Sequence, residues 1–391
     1  MIVKFSERFF CPAPWTHLYY HINNATPCHL IRNNLKLGPN DYLKSNWLKK
    51  LKKDFINGLV PEACSGCKTR EDRGLKSSRG AFWKFYNVGN SPYIDISPFS
   101  LEDETLPLAL EIRTTNLCNF KCRMCGEHSS SEIAKEHQTH SIPLILNSEP
   151  MSGSIWSAPA THVEELKQLC LNIDSLVLTG GEPLLIKEYY SILDFLIDNN
   201  LNEKITIIVY SNCSVYNPHF VDRLLKFKEV KFIMSIDGVG KTAEYQRHGT
   251  DWDIVKNNII KFNSLPFNIF FNTAISSYVL LDMSSLAKFL MELWEQNNNI
   301  QTRCYTVPIT QHLHHRFLSK DLREIVISQI DKAIDILKPK NFEILTVELC
   351  NIKNNLITTD PIDTYSFVNF TKDLDKKRDE SFKKVFNFEL V

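Results

Sequence analysis

From about residue 107 the chain repeats one unit six times, a short apolar run followed by an amphipathic stretch. The apolar runs cover 108–112, 175–179, 205–210, 230–236, 269–275 and 301–307, and the amphipathic stretches lie near 161–172, 187–199, 217–227, 252–264, 283–297 and 319–337. Short apolar runs bounded by turn residues read as buried strands, and the 3.6-residue periodicity between them reads as helix. Strands that alternate with helices pair in parallel, because each helical crossover returns the chain to the same end of the sheet. The pattern predicts an α/β fold on a parallel sheet, open or curved into a barrel. Six units are too few to complete an eight-stranded barrel.

Outside this region the pattern fails. Residues 1–100 carry four cysteines and several aromatics but few clear strands. Within them Trp47, Leu48, Leu51, Phe55 and Ile56 recur at helical spacing, and Gly58 is placed to end the helix. Lys49, Lys50, Lys52 and Lys53 fall on its other side and read as a solvated face. The segment 126–160 is a long polar insertion with Pro143, Pro150, Gly153 and Pro159, either functional or mobile. Residues 311–391 form a C-terminal extension, whose charged end, 373–391, reads as a docking helix with an apolar tail of Phe386, Phe388 and Leu390.

The 45 basic and 45 acidic residues balance, which gives no whole-chain attraction to nucleic acid or an anionic membrane. No apolar run is long enough to span a bilayer, and residues 1–8 lack the apolar segment of a secretory signal. The expected location is the cytoplasm, where thiols stay reduced, so the eleven cysteines are not expected to pair as disulfides. Seven of them fall into two groups with the spacing of metal ligands. Cys170, Cys213, Cys304 and Cys350 stand alone and read as core packing, while His312, His314 and His315 read as a wet loop.

The sharper group is Cys118-Asn-Phe-Lys-Cys122-Arg-Met-Cys125, directly after the first predicted strand of the repeating region. Three thiolates so close together bend around three corners of a cubane iron–sulfur cluster, and the missing fourth leaves one iron open. Structural zinc takes four protein ligands, which this loop does not provide. Cys-x3-Cys-x2-Cys at this place resembles the signature of the radical S-adenosylmethionine (SAM) superfamily. That resemblance implies a partial (β/α)6 TIM-like barrel at about 105–310. It also implies a [4Fe–4S] cluster whose open iron binds SAM and whose electron cleaves it to a 5′-deoxyadenosyl radical.

Gly180-Gly181-Glu182-Pro183, after the second strand, resembles the Gly-Gly-Glu-Pro motif with which that family binds the methionine amino group. Glycines allow close backbone approach, and a carboxylate pairs with an ammonium. Ser211 and Asn212 end the next strand, Ser235 and Asp237 the one after. They resemble strand-end contacts to the ribose or carboxylate of the cofactor, since parallel β/α folds gather ligands at the carboxyl ends of strands. Caps and turns explain them equally well one by one. Arg247 is a candidate carboxylate partner. Relatives often carry glycine at the position of Cys213.

The second group is Cys11, Cys28, Cys64 and Cys67, and its spacing suits zinc or a cubane cluster equally. Cys11-Pro-Ala-Pro-Trp15, Pro27-Cys28, a tryptophan-bearing helix and Cys64-x2-Cys67 resemble the auxiliary-cluster modules called SPASM and twitch domains, here placed before the barrel. That likeness implies a second, fully ligated [4Fe–4S] cluster that passes electrons. The expected function is a radical SAM oxidoreductase or maturase, reduced by a donor such as flavodoxin or ferredoxin, which oxidatively modifies a peptide or protein side chain. A sugar, nucleotide or other small metabolite is the alternative substrate. A non-catalytic iron–sulfur or zinc scaffold is the alternative of another class.

Overall fold

A computed structural model describes the chain except for residues 32–34, 73, 75–76, 87–91, 100, 102–105, 148–152, 341 and 391. Pro150 of the insertion and Val391 of the tail therefore lie outside the described residues. Among the described residues the main sheet has eight strands: β1 (His17–His21), β2 (Asn24–Thr26), β3 (Ala109–Ile112), β4 (Ser175–Leu178), β5 (Thr206–Ser211), β6 (Val230–Ser235), β7 (Asn268–Ile275) and β8 (Gln301–Thr306). Their order is β8-β7-β6-β5-β4-β3-β1-β2. The six strands expected from sequence are β3 to β8, and each lies beside its predecessor. That succession is the barrel winding, and the doubly wound alternative would reverse direction within the sheet. β3 runs parallel to β4 with Ala109 opposite Ser175, and β7 runs parallel to β6 and β8. β1 joins in parallel on the far side of β3, and β2 closes that edge antiparallel to β1. The fold is α/β, as the repeating pattern predicts.

The chain divides into two compact units: residues 1–115, 157–178 and 188–207, and residues 116–156, 179–187 and 208–391. In the first, the helix Asn46–Ile56 is capped by the Ser45 hydroxyl, which accepts from Leu48 N, and it ends at Gly58, whose φ of 74° is open to glycine. It buries Leu48, Leu51 and Phe55, and Phe10 stacks on Trp15 beside Phe55. Lys52 departs from the solvated face expected of it. It is 6% exposed, with Nζ 5.6 Å from the centroid of the Trp15 ring. A lysine stem lies readily along apolar surface while its ammonium meets an aromatic face.

In the second unit the helices Trp252–Asn263, Met283–Gln296 and Lys320–Leu337 fall where their periodicity predicts. The polar insertion contains a helix, Ser131–Thr139, capped by Ser130. The C-terminal extension adds Glu343–Thr358, Thr364–Arg378 and a short helix, Phe382–Phe386. Among the described residues no helix is long and apolar enough to cross a membrane.

Candidate active site

The loop carrying Cys118, Cys122 and Cys125 is fixed by polar groups on both sides of it. Asn116 is fully buried and donates through Nδ2 to the carbonyls of Glu127 and Ser154. The Ser131 hydroxyl accepts from Cys118 N and donates to Cys118 O, and Ser130 Oγ donates to Phe120 O at 2.6 Å. A two-stranded antiparallel ribbon sets Cys122 opposite Arg247 and Lys121 opposite His248. The Cys122 thiol donates to Cys125, which raises Cys122 and lowers Cys125, and the Arg247 charge favours both thiolates. Burial pushes the Cys118 thiol up to about 12.

The next loop closes on this one. A Cβ on Gly181 would lie 2.0 Å from Leu117 O and 2.8 Å from Cys118 Cβ, so only glycine fits there. Glu182 N donates to the same Leu117 carbonyl at 2.8 Å. The Glu182 carboxylate is wholly buried; one oxygen accepts from Ser211 Oγ at 2.9 Å and Leu184 N at 3.2 Å, the other from Asn212 N at 2.7 Å. Burial pushes its pKa up to about 7 against those donors. Pro183 begins the short turn Pro183–Leu185, and Gly180 has a φ of 144°. Asn212 Nδ2 lies 3.8 Å from Cys118 Sγ and 3.3 Å from Asn119 Oδ1. The cysteine loop, Glu182, Ser211 and Asn212 therefore form one hydrogen-bonded assembly. Cys213, beside it, is fully buried with a φ of 59°, the left-handed backbone that glycine adopts without strain.

Asp237 and Arg247 meet as a buried ion pair, Oδ2 to Nη2 at 2.5 Å, and Asp237 Oδ1 accepts from Ala274 N. Burial raises the Asp237 carboxyl and Arg247 opposes that rise. Asn212, Ser235, Asp237 and Arg247 line a cavity of about 230 Å³ together with Phe120 and Trp252. All nine residues expected to bind the cofactor thus lie in the unit that holds the three cysteines. Sequence reasoning missed Asn116, Ser130 and Ser131, which carry no motif, and Arg123, whose carboxylate partners Asp375 and Glu380 lie more than 250 residues away.

The other four cysteines lie in the first unit and border a cavity of about 340 Å³ shared with Phe9, Phe55 and Arg79. Burial raises all three of Cys11, Cys28 and Cys64, Cys28 to about 11 and Cys64 to about 12. Arg79 is itself buried, forked on Glu71 through Nε at 2.9 Å and Nη2 at 2.6 Å, and donates to Phe10 O. Its guanidinium lies 3.6 Å from the centroid of the Phe5 ring. Every cysteine of both sets is a free thiol. Among the described residues no three His, Cys, Asp or Glu side chains converge on a point suited to one metal ion. The histidines after β8 are engaged elsewhere: His314 stacks on His315, His315 meets Asn355, and His312 stacks on Phe370.

The profile of the Radical SAM superfamily matches residues 112–283. Among solved structures, anSMEcpe with bound AdoMet aligns at 16% identity over 60% of this chain and 63% of that chain, with a TM-score of 0.42. Streptococcus suis SuiB bound to precursor peptide SuiA aligns at 18% identity over 72% of this chain and 61% of that chain, with a TM-score of 0.39. The chain spans less than two thirds of the length of each. No curated protein matches it.

Proposed function

Residues 112–283 match the model of the radical SAM superfamily, and from that premise we propose that the chain is an enzyme of this superfamily that cleaves SAM and oxidatively modifies a peptide or protein side chain. Cys118, Cys122 and Cys125 are the thiolates that hold the first [4Fe–4S] cluster. The donor set fits that group: three free thiols on one loop, with the Arg247 cation favouring two thiolates and no fourth cysteine in the loop. When bound and reduced, such a cluster supplies the electron that splits SAM to a 5′-deoxyadenosyl radical, which takes a hydrogen atom from the substrate.

The observation that carries this reading is the convergence of three sequence-distant loops through Glu182. Its carboxylate joins Ser211 and Asn212 to the loop that Gly181 packs on Cys118. Asn212, Ser235, Asp237 and Arg247 offer acceptors, donors and a charge pair around one pocket, and that lining chemistry suits a polar, zwitterionic cofactor. Glu182 accepts from Ser211 Oγ, Leu184 N and Asn212 N, and through these bonds it holds the backbone of its neighbours in place.

Cys11, Cys28, Cys64 and Cys67 hold the second cluster. Four free thiols bordering one pocket are the donor set that a fully ligated cubane centre takes, and the likeness of the segment to auxiliary-cluster modules favours that centre over zinc. With every corner ligated, that centre supplies an electron acceptor, and the net reaction becomes an oxidation. The preference for a peptide over a sugar, nucleotide or small metabolite rests on the likeness of the N-terminal cysteines to auxiliary-cluster modules. A reduced flavodoxin or ferredoxin is the proposed electron source.

The test is anaerobic reconstitution followed by dithionite and SAM. The enzyme reading requires 5′-deoxyadenosine; a scaffold or zinc protein yields none. Incubation with a candidate short peptide then distinguishes substrate classes by a mass loss corresponding to removed hydrogen.

A further inference from the structure

Arg123 sits inside the cysteine loop, yet its side chain serves a distant part of the chain. The guanidinium is fully buried and lies 3.6 Å from the centroid of the Tyr245 ring. Its Nε donates to Tyr245 O at 3.0 Å, and its Nη2 pairs with Asp375 at 2.6 Å and with Glu380 at 2.5 Å. Asp375 also accepts from Tyr245 Oη at 2.7 Å and from Phe382 N at 2.7 Å. Glu380 reaches His248 Nδ1 at 2.8 Å, on the strand paired with Lys121 and Cys122. Between these two carboxylates, Arg378 donates to Lys121 O at 2.8 Å and forks on Glu136, and Lys377 donates to His140 O. Phe370, Leu374 and Lys377 of the same helix line a cavity of about 370 Å³ with Cys122 and Cys125.

A buried arginine left without its anions would be strongly unfavourable, and two carboxylates without their cation equally so. The loop and the C-terminal segment are therefore matched to each other. Every residue named lies in one compact unit. We infer that residues 364–386 are a brace on the cluster-bearing loop, with Arg123, Asp375 and Glu380 as positioning residues that fix the loop and set the charge around its cluster. This rests on the reading of Cys118, Cys122 and Cys125 as cluster ligands. Nearby net charge is one of the levers on a cluster's reduction potential.

The experiment uses the full-length chain reconstituted anaerobically, and reads the midpoint potential and electron paramagnetic resonance signal of the cluster that responds to SAM. E380Q and D375N each remove a negative charge and shift that potential positive. R123Q removes the positive charge and shifts it negative. E389Q removes the same charge from the exposed Lys383–Glu389 pair and leaves the potential in place. Limited proteolysis cuts residues 364–391 faster in E380Q, D375N and R123Q than in the parent. Should R123Q fail to fold, E380Q against E389Q decides the matter alone. Potentials and cleavage rates in E380Q and D375N that match the parent, or shifts of one sign in all three brace variants, overturn the proposal. A parent chain with no SAM-responsive cluster overturns the reading of the site itself, and the brace on a cluster falls with it.

Discussion

Cys118, Cys122 and Cys125 lie on one loop, whereas Cys11, Cys28, Cys64 and Cys67 are drawn from residue 11 to residue 67 across several helices and two strands. The first set is brought together by a short stretch of backbone and trimmed by serines, Asn116 and Gly181. The second exists only once its own unit has folded, because the entropy of closing those longer loops must be met by packing such as the Phe10, Trp15 and Phe55 cluster. Each set also has a buried arginine beside it. Arg79 finds Glu71 eight residues upstream, while Arg123 finds its carboxylates at the other end of the chain. On the proposed reading, the locally made site leaves room for an open coordination position and depends on remote support, while the site assembled from afar is closed by its own ligands and supported nearby.

The comparison breaks most directly at the cysteines. Serine at 118, 122 or 125 abolishes 5′-deoxyadenosine formation, measured by chromatography, whereas a Cys64→Ala/Cys67→Ala variant still forms it while losing one cluster's share of iron and sulfide. If both variants lose SAM cleavage alike, the two sets are not separate sites.

Arg79→Ala leaves the half-buried Glu71 without its cation and lowers stability by about 3 kcal/mol in denaturant titration. The loss is expected to be felt in iron content at the second set before it is felt in SAM cleavage.

Acid sharpens the other side. The Arg378 guanidinium holds the Glu136 carboxyl down at about 2, below its ordinary 4.5, despite the opposing effect of burial. A depressed carboxyl contributes stability above its unfolded pKa, and that contribution of about 3 kcal/mol is lost as pH falls from 4.5 toward 2. Glu136→Gln should flatten this limb in unfolding measured across that range.

Smaller still, Glu182→Gln keeps the size of the buried group but turns one acceptor into a donor facing a donor. SAM cleavage should fall by about 10–100-fold, the usual scale for groups that orient the direct contacts. At the small end, Lys52→Met removes only the ammonium over Trp15 and costs about 1 kcal/mol or less, which thermal unfolding reads.

Six strands, their helices and the compact cysteine loop were legible because strand and helix periodicity and Cys-x3-Cys-x2-Cys are properties of residues close in the chain. The glycine at 181 was visible as a motif, although the carbonyl it must pass was not. Lys52 read wrongly because a helical wheel marks the sides of one helix and says nothing of the Trp15 ring that covers one of them.

The amino-acid sequence alone determined the β/α succession, the three clustered thiols and the Gly-Gly-Glu-Pro turn, since backbone preference and side-chain alternation act over a few residues. Only the tertiary structure decided that β1 extends the sheet beside β3, that Glu182 turns inward to hold Ser211 and Asn212, and that Arg123 is matched by Asp375 and Glu380. Those choices are made by burial. A charge or a strand edge far from its partner in sequence carries no local mark of it, and the pairing arises when water is excluded from both together.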